Sequence, residues 1–375
     1  MTLIFIPREA SGEPRVAATP ETVKKLVQNG FEVHIEPGAG AGSYITDADY
    51  EASGAKAQNS LSNADVIAKL HPPTEQEVSS MKEGALVLSF LWPYGNRSLV
   101  ESLASRKVTS YAMDLIPRIT RAQKMDALSS QSNIAGYKAV VMAADHSPKL
   151  FPLLMTAAGT IRPAKVVILG AGVAGLQAIA TARRLGAIVE VSDIRPAVKE
   201  QVQSLGAKFI EVETEENLET EGGYAKEVSA DFLKKQQAVV REHIVGADVV
   251  ITTALVPGKQ APRLISDDMV RDMKEGAVIV DLAAEQGGNC SLTEMDKVVT
   301  KEGVTIIGKC NIAATLPVHA SDMYAKNILN AFSDIGSEGA INLDFEDEVV
   351  LGAVVTHGGE IRNEKVLEAY KGGKA

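Results

Sequence analysis

The stretch "VVILGAGVAGLQAIATARRLGAIVEVSD" combines residue types and spacing that suit one chemistry. Gly170, Gly172 and Gly175 stand as G-x-G-x-x-G, after an apolar run and at the head of a helical pattern. The first glycine permits a tight turn. The second lets the main chain approach a pyrophosphate, which then sits at the positive end of a helix. The third lets helix and strand pack closely. A second apolar run ends in Asp193, whose carboxylate can accept both hydroxyls of a ribose and repel a 2′-phosphate. The spacing alone is weak. With strand, helix and terminal acid in place it reads as a dinucleotide site of the NAD type. Arg195 has two readings, a solvated helix start or a nucleotide contact.

"RITRAQKMDALSSQSN" (118–133) is the other concentration of polar side chains, with two arginines, an aspartate, two glutamines and four hydroxyls. By itself it does not decide between a solvated helix face and a segment that holds a ligand, and the solvated face is the favoured reading of the residues alone. "EVETEENLETEGGYAKE" (211–227) is acidic, overlong for a connection and hinged by Gly222 and Gly223 beside Tyr224. Such loops are lids or solvated insertions. "PGAGAGS" (37–43) follows a strand but opens no apolar helix, so it reads as a flexible loop. The six histidines are scattered without metal-ligand spacing, and no nucleophile motif is present. Structural histidines and no metal are the expectation.

These residues must be held by regular elements. Strand-like runs at 3–7, 31–36, 65–70, 85–91 and 108–113 alternate with helical patterns. "TPETVKKLVQNG" (19–30) has a capping Thr19, Pro20 at the first helical position and Gly30 as a left-handed stop. A second series follows at 164–169, 187–193, 207–212, 248–255, 277–283 and 304–308. This alternation predicts parallel sheets built from βαβ units. "ADVIAKLHPP" (64–73) and "MKEGALVL" (81–88) are echoed in the same order by "ADVVITTALVP" (247–257) and "MKEGAVIV" (273–280), which points to a duplication. The expected fold class is α/β, with two Rossmann-like doubly wound parallel-sheet domains and a cleft between them. Residues 132–160 read as a long helical connector. After residue 320, 321–335 reads as a helix, while "NLDFEDEVV" and "AVVTHGGEIRN" read as a hairpin. The predicted domains are 1–133 with 321–375, and 134–320.

The 375 residues suffice for about two or three domains with sizeable cores. A net charge of −10 disfavours nucleic acid and anionic membrane surfaces. Cys290 and Cys310 alone do not make a disulfide framework, and a reducing compartment fits them. No secretory signal or membrane span is expected, since the longest apolar runs have strand length.

Taken together, "RITRAQKMDALSSQSNIAGY", "MTAAGT", "GAGVAGLQAIATARRLGA", "EGGYAKE", "ITTALVPGK" and "LAAEQGGN" resemble the NAD(H)-binding component of proton-translocating nicotinamide nucleotide transhydrogenases, over essentially the whole chain. The chain ends before any membrane segment, as in the split form of that family. The resemblance implies direct hydride transfer between NADH here and NADP⁺ on a partner subunit, coupled to proton translocation. It implies a homodimer, cytoplasmic and peripheral on the inner face of the membrane through membrane-spanning and NADP(H)-binding partners. It further implies that Arg118, Asp126 and Ser129 hold the nicotinamide ring and carboxamide, within a segment that includes Lys124 and Met125. Gln123 would reach toward the partner's nucleotide. Val173, Asp193, Ile194, Arg195, Gly223, Gln236 and Leu255 would line the rest of the NAD site, with Tyr224 on the lid. Alanine dehydrogenases share the fold, but that family uses a lysine in a "KVKEP"-like stretch and a histidine in an "FLH" stretch. Here "KLHPP" and "FLW" place His71 and Trp92 there, which counts against amino-acid oxidation.

Overall fold

In a computed structural model, the described residues are 1–211, 230–255 and 260–372; at 230–234 and 236 only the main chain is described. The chain divides into two compact units, residues 1–131 with 314–375, and residues 132–313.

In the first unit, β1 (Leu3–Ile6), β2 (Glu32–Ile35), β3 (Lys56–Ala57), β4 (Val66–Ala68), β5 (Leu86–Ser89) and β6 (Thr109–Ala112) alternate with α1 (Pro20–Gln28), α2 (Asp47–Ala52), α3 (Glu75–Ser80) and α4 (Arg97–Ser105). The start of α1 follows from its residues. Thr19 is extended, Thr19 and Thr22 exchange capping contacts, and Pro20 occupies the first turn. Gly30 closes the helix at a φ of 85°. Strands β4 and β5 are buried along their whole length, as strands covered on both faces must be.

Then come α5 (Ala127–His146) and the short strands β7 (Leu154–Thr156) and β8 (Gly159–Ile161). The second unit continues with β9 (Lys165–Leu169), α6 (Val173–Arg184), β10 (Ile188–Ser192), α7 (Lys199–Ser204), β11 (Lys208–Phe209) and α8 (Ala230–Val245). It ends with β12 (Val249–Thr252), α9 (Asp267–Asp272), β13 (Val278–Asp281), β14 (Val298–Lys301) and β15 (Val304–Ile307). The chain then returns to the first unit through α10 (Pro317–Ile335), β16 (Gly336–Ser337), β17 (Ala340–Ile341), α11 (Glu348–Ala353), β18 (Val354–His357), β19 (Glu360–Ile361) and α12 (Glu364–Lys371).

The first sheet runs β19-β18-β6-β5-β4-β1-β2-β3 and the second β11-β10-β9-β12-β13-β15-β14. Through their parallel strands the two orders are the same, the doubly wound order of a Rossmann fold. The echoed sequences supply matching strands, β4 with β12 and β5 with β13. The echoed glycine stops, Gly84 and Gly276, share a φ of 80°. In each sheet the chain leaves the first strand toward opposite edges, at β1/β4 and at β9/β12. A ligand crevice forms outside the carboxyl ends of such a strand pair.

Three expectations need correction. The 132–160 segment is helical only as far as His146; Leu154 pairs with Ile161 and Thr156 with Gly159 in an antiparallel hairpin. Pro148 and Pro152 lack the N–H that further helix would use. In the tail, 354–361 is a hairpin around Gly358 and Gly359, both at positive φ, but "NLDFEDEVV" leads into α11. The Asp347 carboxylate caps that helix, accepting from Val349 N at 2.7 Å. "PGAGAGS" is also a close-packed turn, not a flexible loop. A Cβ on Gly42 would lie 2.5 Å from Pro14 Cα, and one on Gly40 2.7 Å from the Tyr50 ring.

Tail strand β18 pairs antiparallel with β6, and α10 buries Tyr324, Ile328 and Phe332 in the first unit's core. The Phe332 ring lies 5.8 Å from that of Phe31. Phe332→Ala should therefore destabilise the first unit by about 3–5 kcal/mol. Denaturant unfolding followed at the first unit would test this; a loss below about 1 kcal/mol would mean that the tail is only an appendage.

Candidate nucleotide site

The glycine turn in the second unit is built by exclusion. Gly170 has a φ of 104°, and a Cβ there would also lie 2.5 Å from Thr253 Oγ1. A Cβ on Gly175 would lie 1.9 Å from the Gly170 carbonyl oxygen, so α6 can sit this close to β9 only with glycine at that position. Gly172 is different. Among the described residues a Cβ there meets nothing within 4 Å, and φ is an ordinary −74°. The protein itself gives no reason for glycine at 172; the open space at the N-terminus of α6 fits an approaching pyrophosphate.

Asp193 stands just after β10. Its carboxylate accepts from Ala171 N at 2.6 Å and from Arg195 N at 2.8 Å. Arg195 also folds its guanidinium onto Asp193, 3.1 Å away, with both side chains largely buried. Arg195 is thus not a solvated helix start. It offsets the charge that would meet a ribose or repel a 2′-phosphate. Val173 begins α6, and Ile194 is half-buried beside Asp193. Leu255 lies beyond the carboxyl end of β12, next to β9, and is exposed. Gly223 and Tyr224 lie outside the described residues, as does the 212–227 part of the expected lid. Gln236 lies on α8, its side chain likewise outside the description.

Two further residues shape this turn, and no motif in the sequence marks either. The Thr253 hydroxyl donates to the Gly170 carbonyl at 3.0 Å and so holds the glycine turn from the neighbouring strand. Asn289, fully buried, donates to the carbonyls of Ala254 and Pro262 and accepts from Ala254 N. It fixes the segment that carries Leu255. Their only sequence signal is position, after an apolar strand in "ITTALV" and "EQGGN".

In the first unit, the 118–133 segment enters as a 3₁₀ helix over Thr120–Met125. Arg118, Gln123 and Lys124 are exposed. Asp126 and Ser129 are brought together. Ser129 N donates to one carboxylate oxygen at 2.8 Å and Ser129 Oγ to the other at 2.6 Å. Met125 departs from its expected role: its side chain is fully buried in the apolar core, so only its main chain can meet a ligand.

The β1/β4 crevice of the first unit is closed by its own charges. Arg15 donates twice to Glu13 at 2.7 Å, once to each carboxylate oxygen, and His71 Nε2 lies 2.7 Å from Oε2 of the same carboxylate. Lys69 pairs with Glu77 at 2.6 Å. Glu9 accepts from Leu70 N and His71 N, and burial pushes its carboxyl above the usual range. Trp92 is half-exposed and stacked on Phe90 with ring centroids 5.4 Å apart.

The sequence agrees with family models along nearly its whole length. Residues 5–135 match the alanine dehydrogenase/PNT N-terminal domain and residues 139–364 the alanine dehydrogenase/PNT C-terminal domain. The chain belongs to this family. It is 51% identical over 372 residues to the first portion of the split NAD(P) transhydrogenase subunit alpha of Rhodospirillum rubrum, covering 96% of this chain and 97% of that protein. Among solved structures, a transhydrogenase from Sinorhizobium meliloti superposes with a TM-score of 0.85 at 45% identity, covering 97% of this chain and 99% of that one. An L-alanine dehydrogenase superposes with a TM-score of 0.82 at 25% identity, with full coverage of both chains. The two-domain Rossmann-like fold is therefore that of both branches, and overall sequence identity is higher to the transhydrogenases.

The two inner glycines separate packing from binding. Gly172→Ala should leave the melting temperature within about 2 °C but weaken NADH binding at least tenfold, because the methyl fills space that only a ligand needs. Gly175→Ala should lower stability by roughly 1–3 kcal/mol or more, through the clash with the Gly170 carbonyl. Calorimetric titration with thermal melting would check both. Unchanged NADH affinity in the folded Gly172→Ala protein would remove the pyrophosphate from this turn.

Proposed function

We propose that this chain is the NAD(H)-binding subunit of a proton-translocating transhydrogenase. It would transfer hydride directly between NADH and NADP⁺ held by a partner subunit. The observation that carries this reading is the first unit's crevice: His71 is tied to Glu13, and Trp92 stands where a dehydrogenase of this family would keep its proton donor. Oxidising an amine or alcohol moves a proton together with the hydride and needs an acid or base. Transfer between two nicotinamides moves no proton at that step. It needs placement of two rings and exclusion of water.

In this reading Gly170, Gly172, Val173 and Gly175 receive the pyrophosphate, Asp193, Ile194 and Arg195 the adenosine ribose, and Gly223, Tyr224, Gln236 and Leu255 line the remainder. Arg118, Asp126 and Ser129 orient the ring and its carboxamide, helped by Lys124 and the main chain of Met125. Gln123 reaches toward the partner's nucleotide. NADH, when bound, supplies the hydride. In this reading partner subunits carry the membrane-spanning and NADP(H)-binding segments, and they hold the chain on the inner face of the cytoplasmic membrane. The near end-to-end match to a relative that is itself one portion of a split alpha subunit supports this.

The test is whether the purified chain turns over alone. NADH oxidation should be at background with pyruvate or other small keto acids, and should appear on adding the membrane-bound NADP(H) partner. Turnover with a keto acid alone would instead make the chain a self-sufficient alanine-type dehydrogenase.

A homodimer is included in the proposal. The β7–β8 hairpin exposes Leu153, Leu154, Ile161 and Met155, the last at 72%. A lone two-stranded hairpin is marginal in water, and clustered exposed apolar side chains mark a protein contact. Sedimentation should give a dimer at micromolar concentration, and Met155→Glu should shift it toward monomer. A monomer in the unmodified chain would sink the dimer assignment.

A further inference from the structure

The 118–133 segment is not held by its own helix alone. Arg121 donates through one terminal nitrogen to Asp334 at 3.0 Å and through the other to Asp347 at 2.7 Å. One planar guanidinium thus joins the 3₁₀ turn to the end of α10 and to the cap of α11. These hydrogen bonds hold the Asp347 carboxyl below the usual range. Asn327, nearly fully buried on α10, makes the second tie. Its Nδ2 donates to the Lys124 carbonyl at 3.0 Å, and its Oδ1 accepts from Ser130 Oγ at 2.7 Å. Asn330, one turn further on, donates to the same carbonyl at 3.1 Å. Lys124 and Ser130 flank the Asp126–Ser129 pair on either side. Gln131 Nε2 donates to the Ala320 carbonyl at 3.0 Å, just beyond it.

We infer that Asn327 and Arg121 are positioning residues: α10 clasps the 120–131 segment from both ends, so that Asp126 and Ser129 meet the nicotinamide in a fixed place. This rests on the proposed role of that segment. Neither residue touches the nucleotide. An amide is required at 327 because one end must donate to a carbonyl while the other accepts from a hydroxyl. Aspartate would turn the donating end into an acceptor facing the Lys124 carbonyl. Arginine is required at 121 because lysine is a point charge that cannot fork across two carboxylates. The inference concerns placement, so its effect should fall on the nicotinamide end alone.

NADH and ADP-ribose, which lacks the nicotinamide, separate the two ends of the site. Calorimetric affinities for both should be measured on the isolated full chain for Asn327→Asp, Arg121→Lys and Asp126→Asn, with thermal melting alongside. Asn327→Asp and Arg121→Lys should weaken NADH about fivefold or more while ADP-ribose stays within about twofold, as a misplaced binding group predicts. Equal weakening of both ligands, or lowered melting with both affinities intact, would show a merely structural tie and overturn the inference. If Asp126→Asn separates the ligands but the other two variants do not, the clasp is wrong and the segment's role stands. If Asp126→Asn also leaves the NADH preference over ADP-ribose untouched, the segment does not serve the nicotinamide, and both readings fall.

Discussion

The second unit depends on one steric constraint: nothing larger than a hydrogen can stand between the end of β9 and the first turn of α6. The Gly170 carbonyl occupies the space that a side chain at 175 would need. This contact sets where α6 begins and where its unpaired N–H groups point. The same helix is held from its other side. A Cβ on Gly136 of α5 would lie 2.1 Å from the Ala174 carbonyl oxygen, so α5 and α6 cross at backbone distance. Such packing leaves no slack for the turn between them. Asp193 and Thr253 then tie the turn to β10 and β12 through Ala171 N and the Gly170 carbonyl. Among the described residues, nothing fills the space beside Gly172.

Charge is handled differently in the first unit. Its strand-end crevice contains Glu9, Glu13, Arg15, Lys69 and His71, and those groups answer one another. Desolvating such charges is costly, and a buried pair stays ionised only when its partners are geometrically good. Arg15 donates to both oxygens of Glu13, His71 Nε2 meets one of the same oxygens, and Arg15 in turn donates to Gln131 at 2.9 Å. The exposed polar groups are displaced to Arg118, Gln123 and Lys124, on a turn anchored by buried Ala122 and Met125. Exposed polar residues on buried anchors suit a segment that positions a ligand while keeping its own shape.

The sequence by itself determined the doubly wound fold and the glycine turn. Both are local statements: apolar strand runs followed by helix signals, and three glycines whose spacing matches a strand-turn-helix geometry. The duplicated segments also foretold that β4 and β5 would match β12 and β13, because a repeated pattern buries itself in a repeated way. Helix α1 was legible for a similar reason, its cap, proline and glycine acting within one turn each.

The tertiary structure decided what depends on neighbours distant in the chain. Composition could not choose between a solvated face and a ligand-holding segment for residues 118–133. How that segment is anchored turns on Asp334, Asp347 and Asn327, about 200 residues away in sequence. The Arg195 guanidinium lies on Asp193, and the Met125 side chain belongs to the same buried core cluster as Tyr111 and Ile328. Thr253 and Asn289 carry no motif of their own, since their importance is a hydrogen bond to another strand's turn. The hairpin at 154–161 and the helix at 348–353 escape a sequence reading because short apolar runs fit either periodicity, and prolines and an aspartate cap settle them locally. Local signals fix elements; which polar atom finds which partner is fixed only when the sheets and helices have packed.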